Sequence, residues 1–295
     1  MMRVTITGAS GLIGTRLVRA LRERGDEVTV LSRSADRGDA MWQPQDGPAP
    51  PDALAGRDAV VHLLGENVAQ RWSEKAQREI RASRELGTRN LVAGLRAAEP
   101  RPATLVSASA VGYYGPHGDE VVTEDTPPGT GFLAEVCVAW EHEAQAAEAL
   151  GMRVVRLRTG VVLDRDGGAL ARMLPPFRLG AGGPVAGGRQ YLPWIHADDL
   201  VGLYLHALDD PAWSGAYNAA APEPVTNADF SKALGRALHR PAVAPVPAVA
   251  LRLLYGDMAE IVTEGQRAVP RRALDGGYAF RQADLDAALA DALRG

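Results

Sequence analysis

Short apolar runs alternate with longer amphipathic stretches along the first half of the chain. The apolar runs cover residues 4–6, 28–31, 59–64, 103–106 and 154–157. The stretches between them have a helical spacing of apolar positions, most clearly over residues 73–98 and 133–150. Strands that are apolar throughout and alternate with helices are typical of a parallel sheet covered on both faces. The pattern therefore predicts an α/β fold built on a doubly wound parallel sheet.

The pattern changes after about residue 163. Residues 180–188 are rich in glycine, and residues 240–247 carry three prolines. Helical spacing returns over residues 248–265 and 283–293. We therefore predict a sheet domain over residues 1–165, to which residues 189–222 return. A smaller, mostly helical lobe on the substrate side is predicted over residues 166–188 and 223–295.

The charge balance and the cysteine and histidine content exclude several classes of protein. With 32 Lys and Arg against 36 Asp and Glu, the net charge of −4 gives no basic footprint for nucleic acid. The single cysteine, Cys137, excludes an internal disulfide, and the six histidines lack metal-ligand spacing, so we predict no metal. Signal-peptide anatomy and an apolar run long enough for a bilayer are both absent. These features predict a cytoplasmic protein without a membrane partner.

Three glycines follow the first apolar run and begin a helical stretch. Gly8, Gly11 and Gly14 have Gly-x-x-Gly-x-x-Gly spacing. In this setting the first glycine permits a tight turn, the second lets the backbone approach a pyrophosphate, and the third brings the helix close to the sheet. The N–H groups at the start of the helix then bind the phosphates. We predict a dinucleotide site formed by Gly8, Ser10, Gly11, Leu12, Ile13 and Gly14.

The second apolar run ends at Ser32 and Arg33. A site selective for NAD(H) places Asp or Glu at this point to hold the ribose 2′-hydroxyl. Neither is present, and Arg33 can meet a 2′-phosphate, with Ser32 as a hydroxyl donor. The sequence therefore favours NADP(H) over NAD(H), although an arginine in a loop is also compatible with a simple solvated charge.

Together, the glycine loop, His-Leu-Leu-Gly at residues 62–65 and Ser-Ala-Ser-Ala-Val-Gly-Tyr-Tyr-Gly at residues 107–115 resemble the extended short-chain dehydrogenase/reductase superfamily. Other segments are similar to an atypical NADP-binding branch of it, the epimerase family, which has a C-terminal helical extension. They are residues 71–72, 83–84, 132–137, 158–163, 194–196 and 270–272. The resemblance covers essentially the whole chain and implies a Rossmann-type fold that binds a nicotinamide cofactor.

The resemblance also implies site residues. By position, Ser109 corresponds to the serine that hydrogen-bonds a substrate oxygen, with Ser107 behind it. Residues 158–161 are similar to the segment that contacts the nicotinamide amide. Beyond the glycine loop, the implied cofactor contacts are those of Leu64, Gly65, Ser107, Arg158, Thr159, Gly160 and Val161.

One catalytic feature of that superfamily is absent from the sequence. Its members use a Tyr and a Lys four residues later on one helix, where the ammonium lowers the pKa of the phenol. The lysines here are Lys75 and Lys232, and the residues four positions before them are Arg71 and Ala228. No Tyr-x-x-x-Lys pair is therefore available.

At the corresponding helix two registers are possible. Aligning Glu141 with the family's downstream Glu puts Leu133 in the Tyr position and Cys137 in the Lys position. A register shifted by two residues puts Glu135 and Ala139 there. Neither register restores an acid–base pair, so any catalysis needs another proton carrier.

The candidate proton carriers and substrate contacts are few. Tyr113 and Tyr114 follow the fourth apolar run, and Tyr114 is a candidate acid or base while Tyr113 is expected to line the pocket. Glu66 follows the third run and is the other candidate acid or base. Expected substrate contacts are Asn67, Arg71, Tyr113 and Arg189, of which the two arginines are also compatible with solvated charges.

Two functions remain open. The first is an NADP(H)-dependent oxidoreductase or epimerase that acts on a small carbonyl or hydroxyl compound, nucleotide-linked compounds included, with Ser109 orienting the substrate oxygen. The second is a non-catalytic NADP(H)-binding sensor or regulatory protein, which the missing Tyr and Lys favour. The expected partner is a small-molecule substrate, and the sequence leaves a monomer and a homodimer open.

Overall fold

The computed structural model describes residues 1–294 and is centred on a parallel sheet. Its strands, in chain order, are β1 (Arg3–Thr7), β2 (Glu27–Ser32), β3 (Ala40–Met41), β4 (Ala59–His62), β5 (Thr104–Ala110), β6 (Val121–Val122), β7 (Arg153–Thr159), β8 (Val161–Leu163), β9 (Tyr191–Leu192), β10 (Trp194–His196), β11 (Gly215–Ala219), β12 (Val225–Thr226) and β13 (Arg267–Ala268). The apolar runs of the first half correspond to β1, β2, β4, β5 and β7.

Helices lie between most of these strands. They are α1 (Leu12–Glu23), α2 (Glu74–Ala97), α3 (Phe132–Gln145), α4 (Gly168–Arg178), α5 (Ala197–Asp209), α6 (Asn227–Leu238), α7 (Ala248–Tyr255), α8 (Glu260–Thr263), α9 (Arg271–Asp275) and α10 (Leu285–Arg294). Over residues 1–294, none of them combines the length and the apolarity that crossing a bilayer requires.

The central sheet has seven strands in the order β11-β7-β5-β4-β1-β2-β3, and all of its pairings are parallel. The chain runs outward from β1 through β2 to β3, and then outward in the other direction from β4. This reversal between β1 and β4 opens a crevice at the carboxyl ends of the strands, where doubly wound sheets bind dinucleotides. The predicted fold class is confirmed.

One apolar core lies on each face of the sheet. On one face, α1 and α5 pack against β1, β4 and β7 through residues such as Leu17, Leu200 and Tyr204. On the other face, α2 covers the sheet through Leu91 and Leu95. Helices with a buried stripe on each face explain why the strands are apolar on both sides.

A third core belongs to the smaller lobe. It joins α4, α6 and α10 through residues such as Leu174, Phe230 and Leu289. Residues 189–222 supply β11 to the central sheet, in line with the predicted return of this segment. Ala273, which the prediction places in the smaller lobe, lies instead in the core of the sheet domain. The division into two lobes stays a prediction. The C-terminal segment contributes to both cores, through Ala273 in the sheet domain and Leu289 in the smaller lobe.

The end of β4 is held by a buried histidine. One ring nitrogen of His62, Nδ1, lies 2.7 Å from the Thr7 hydroxyl, and Nε2 lies 3.0 Å from the Thr88 hydroxyl. Full burial lowers the pKa of His62 to about 3, so the ring is neutral at physiological pH. The histidine therefore ties β1, β4 and α2 together directly below the crevice.

Candidate functional site

The glycine loop forms a close crossing between β1, α1 and β4. Gly8 has a φ of +74°, and a Cβ there would lie 2.8 Å from the carbonyl carbon of Leu63. A Cβ on Gly14 would lie 2.2 Å from the carbonyl oxygen of Gly8. Real side chains do not approach so closely, so glycine is required at both positions. The loop consequently holds the start of α1 against the ends of β1 and β4.

The N-terminus of α1 is left open. Its N-cap is Gly11, so no side chain caps the helix, and the first turn contains no acidic residue. The N–H groups of Leu12, Ile13 and Gly14 precede the first intrahelical bond, which Thr15 makes to Gly11 at 2.9 Å. Free N–H groups and the positive end of the helix dipole form an anion site. The loop residues predicted from the sequence therefore meet at the crevice.

At the end of β2, Arg33 is exposed and its guanidinium has no hydrogen-bond or ion-pair partner among residues 1–294. The Ser32 hydroxyl accepts a bond from the Ser34 N–H at 3.3 Å. The nearest following carboxylate is Asp36, and the Ser34 hydroxyl that donates to it holds its pKa below the usual range. An adjoining cleft of about 480 Å³ is lined by residues that include Ala9, Ser10 and Arg37.

After β4, residues 64–66 are held by α2. The Glu66 N–H donates to the Ser83 hydroxyl at 2.9 Å, and the Glu66 carbonyl accepts from Arg84 at 3.0 Å. The Glu66 carboxylate has no partner among the described residues and is half-buried. Neither Ser83 nor Arg84 was predicted as a site residue, although Ser83 is buried on α2 and Arg84 follows the buried Ile80 by one helical turn. A charged residue on an apolar stripe is the signal that could have identified Arg84.

Behind β5 lies a buried ion pair. Arg158 donates from Nε and Nη2 to the two carboxylate oxygens of Glu141, at 2.8 and 2.9 Å, and both side chains are about 95% buried (4% and 5% exposed). Ser109, which is also buried, donates to the same carboxylate at 2.7 Å. Ser109 thus donates its hydroxyl proton to Glu141, and its role in orienting a substrate oxygen stays a prediction.

Two tyrosines complete this cluster. The Arg158 guanidinium lies 3.5 Å from the ring centroid of Tyr113 and donates to the Tyr114 hydroxyl at 2.9 Å. Tyr114 is fully buried and donates to the Asn218 side-chain oxygen at 2.7 Å. Burial raises the pKa of Tyr114 to about 12. Both groups are therefore engaged in the interior, while the acid–base role of Tyr114 and the nicotinamide contact of Arg158 stay predictions.

The remaining predicted contacts divide between the interior and the crevice. Ser107 is fully buried in the middle of β5, level with His62, and does not reach the crevice. Thr159 ends β7 beside the crevice, but the N–H groups of Gly160 and Val161 already donate to Ala219 and Pro193. This segment therefore has its backbone donors satisfied within the protein.

In this protein α3, the helix expected to correspond to the one that carries the acid–base pair in superfamily relatives, has Leu133 and Cys137 facing the end of β5. Leu133 and Cys137 both face Gly112, since a Cβ built there would lie 3.5 and 3.9 Å from them. Burial raises the pKa of the Cys137 thiol to about 12, so the thiol is neutral. Glu135, from the shifted register, is exposed and pairs with Arg81. The geometry therefore favours the register that places Leu133 and Cys137 in the two positions.

The predicted substrate contacts lie at the surface. Asn67 is exposed and accepts a bond from the Ala69 N–H at 2.9 Å, which makes it a turn residue. Arg71 is exposed and approaches the Leu253 carbonyl at 3.5 Å. Arg189 is exposed, and its side chain has no hydrogen-bond partner in the described range. Arg71 and Arg189 are thus accessible cations, and Arg71 stands next to α7.

One cluster contains residue types that commonly bind metals, and its side chains have hydrogen-bond and ion-pair partners within the protein. His196, Asp198 and Asp291 lie close together. The Nδ1 atom of His196 accepts a bond from the Asp198 N–H at 3.2 Å, and Nε2 lies 3.5 Å from a carboxylate oxygen of Asp291. Arg16 and Arg294 pair with the two carboxylates. The cluster is therefore a helix cap within an ion-pair network, and the predicted absence of a metal stays a prediction.

Comparisons with known proteins agree with the motifs. The NAD dependent epimerase/dehydratase family matches residues 4–220, and a domain of unknown function, DUF1731, matches residues 246–292. An epimerase family protein of Mycobacterium bovis is 44% identical over 290 residues, which cover 97% of this chain and 96% of that protein.

Solved structures are similar over the whole chain. The crystal structure of the human epimerase family protein SDR39U1 with NADPH has a TM-score of 0.88 and 36% identity, and the match covers both chains completely. A nucleoside-diphosphate sugar epimerase from Corynebacterium glutamicum has a TM-score of 0.81 and 37% identity, over 99% of this chain and 58% of that chain. The resemblance identified from the motifs is thereby confirmed.

Proposed function

Since the chain belongs to the NAD-dependent epimerase/dehydratase family, we propose that it is an NADP(H)-dependent oxidoreductase or epimerase. Its substrate is a small carbonyl or hydroxyl compound. The observation that carries the proposal is the uncapped N-terminus of α1 at the reversal point of the sheet, with Arg33 free beside it. The first binds a pyrophosphate and the second a 2′-phosphate. NADPH in the human relative's crystal structure supports the same cofactor.

Arg33 has the surroundings that recognition of a 2′-phosphate requires. It is exposed, it has no ion-pair partner among residues 1–294, and Arg37, four residues later, lines a neighbouring cleft. A carboxylate that could receive the ribose 2′-hydroxyl is absent from the end of β2, and Asp36 is already bonded by Ser34. These features support NADP(H) over NAD(H).

The cofactor preference is tested by replacing Arg33 with alanine. We expect the affinity for NADPH to fall about thirtyfold, roughly 2 kcal/mol, because a charge-assisted hydrogen bond to the 2′-phosphate is lost. The affinity for NADH should not change. Calorimetric titration of both cofactors measures this, with Arg78→Ala on the exposed face of α2, away from the cleft, as a control that alters neither. Equal losses for the two cofactors would contradict the assignment.

The chemistry requires a proton carrier, for which we propose Glu66. It lies four residues after the end of β4, it is half-buried, and its carboxylate has no partner in the described chain. Tyr114 and Ser109, in contrast, are engaged in the buried cluster around Glu141. A carboxylate that is free and close to the cofactor can exchange a proton as hydride is transferred.

A non-catalytic NADP(H) sensor is the second candidate, and Leu133 and Cys137 favour it because neither can exchange a proton at neutral pH. Stopped-flow measurement of NADPH oxidation with a panel of carbonyl compounds separates the two functions. Nucleotide-linked sugars are included because the similar Corynebacterium glutamicum protein is a nucleoside-diphosphate sugar epimerase. They carry hydroxyl groups, so they are tested with NADP⁺, whose reduction is followed. We expect NADPH oxidation or NADP⁺ reduction with at least one class. Tight cofactor binding without either reaction would support the sensor.

A further inference from the structure

Arg84 is a half-buried cation without a carboxylate partner. It projects from α2 towards the end of β4, where Nη1 donates to the carbonyls of Glu66 at 3.0 Å and Ile80 at 3.2 Å. Its guanidinium also stacks near Trp140, with Cζ 5.1 Å from the ring centroid. Most other arginines of α2, such as Arg81 and Arg89, are paired with glutamates at the surface. Arg84 is therefore held in place by neutral groups.

The guanidinium of Arg84 lies directly over Gly65. A Cβ on Gly65 would be 2.9 Å from both Cζ and Nη2 of Arg84. Gly65 itself has an ordinary backbone conformation, because its φ lies outside the left-handed region. The absence of a side chain at this position thus serves to let the arginine lie against the backbone at the edge of the crevice.

Part of the hydrogen-bonding capacity of Arg84 is unused. Its Nε–H and the two Nη2–H groups have no acceptor among residues 1–294, and the side chain retains some exposure. Burial lowers the pKa of Arg84, yet a guanidinium stays charged at neutral pH. A partly desolvated cation with free donors is costly unless a ligand accepts its hydrogen bonds.

The position of Arg84 corresponds to the nicotinamide half of the crevice. In doubly wound sheets the pyrophosphate lies at the glycine loop, and the two nucleosides lie on either side of the reversal point. Arg33 marks the adenosine side, since it follows β2, whereas Arg84 lies beyond β4. Its charge also acts on Cys137, which occupies the position of the superfamily's lysine.

We propose that Arg84 binds the nicotinamide ribose, with Nε–H and Nη2–H donating to the ribose hydroxyl oxygens. It supplies from α2 the fixed positive charge that superfamily relatives take from a lysine on the helix equivalent to α3. Gly65 is the backbone position that admits it. This inference rests on the proposed binding of NADP(H), and it adds a residue to the nicotinamide side of the site.

Calorimetry of Arg84→Met with two ligands tests the proposal. NADPH carries both halves of the cofactor, whereas adenosine 2′,5′-bisphosphate lacks the nicotinamide ribose. We expect the affinity for NADPH to fall about tenfold and the affinity for the bisphosphate to stay unchanged, and Arg84→Lys should recover part of the loss. Arg81→Met, one turn earlier on the exposed side of α2, is the matched control and should change neither affinity.

A second variant covers the case in which Arg84→Met does not fold. Gly65→Ala keeps the arginine but displaces it, because the new Cβ takes the place of the guanidinium, and the same selective loss is expected. Equal weakening of both ligands, or no change in either, would overturn the role of Arg84. If the unaltered protein binds neither ligand, the proposed function itself fails, which is a distinct result.

Discussion

Replacing Glu141 with glutamine should lower the free energy of unfolding by about 3 kcal/mol, because it leaves the buried Arg158 guanidinium without a counter-charge. The Glu141 and Arg158 side chains are 5% and 4% exposed and form a bidentate ion pair. Ser109 loses the carboxylate to which it donates in the same step. Glutamine keeps the volume of the side chain, so the loss reports the charge rather than a cavity.

Urea denaturation at pH 7 measures this loss, and Glu135→Gln is the matched control on the same helix. Glu135 pairs with Arg81, the two side chains are 65% and 40% exposed, and an ion pair in contact with water contributes less than about 1 kcal/mol. If the two variants lose the same small amount, the buried pair does not stabilise this part of the fold.

Replacing Gly14 with alanine should lower the stability by about 3 kcal/mol and the affinity for NADPH about a hundredfold. The added Cβ would lie 2.2 Å from the Gly8 carbonyl oxygen and 2.7 Å from the Ala9 Cα. Both atoms belong to the backbone and cannot move aside as a flexible side chain does. The start of α1 must therefore shift away from β1, and the N–H groups that bind the pyrophosphate shift with it.

The control for this prediction is a glycine whose replacement by alanine should raise the stability instead of lowering it. Gly87 lies inside α2, and a Cβ there would meet only the Pro44 Cβ at an ordinary 3.5 Å. Gly87→Ala should thus raise the stability by about 0.5–1 kcal/mol, the usual gain of alanine over glycine within a helix. Thermal unfolding and NADPH titration of both variants provide the comparison. A gain in stability for Gly14→Ala as well would refute the close crossing.

Local spacing explains which candidate residues the sequence alone could place at one edge of the sheet. The glycine loop and Arg33 lie within one strand–helix–strand unit, so their spacing alone places them at one edge of the sheet. Ser109 and Arg158, in contrast, bond to Glu141 of α3, and Tyr114 bonds to Arg158 and to Asn218 of β11, so their surroundings depend on how separate elements pack. Position after a strand does not reveal whether such a partner has already engaged the side chain.

The sequence by itself determined the doubly wound sheet, the dinucleotide loop and the loss of the Tyr and Lys pair. All three follow from local periodicity, from glycine spacing and from residue identity, which need no knowledge of distant contacts. Only the tertiary structure decided which polar groups are free, because a hydrogen bond or ion pair between remote segments removes a side chain from the crevice. Such contacts hold the side chains of Ser109, Tyr114 and Arg158 in the interior. Arg84, which lies against Gly65, retains N–H groups without an acceptor among the described residues.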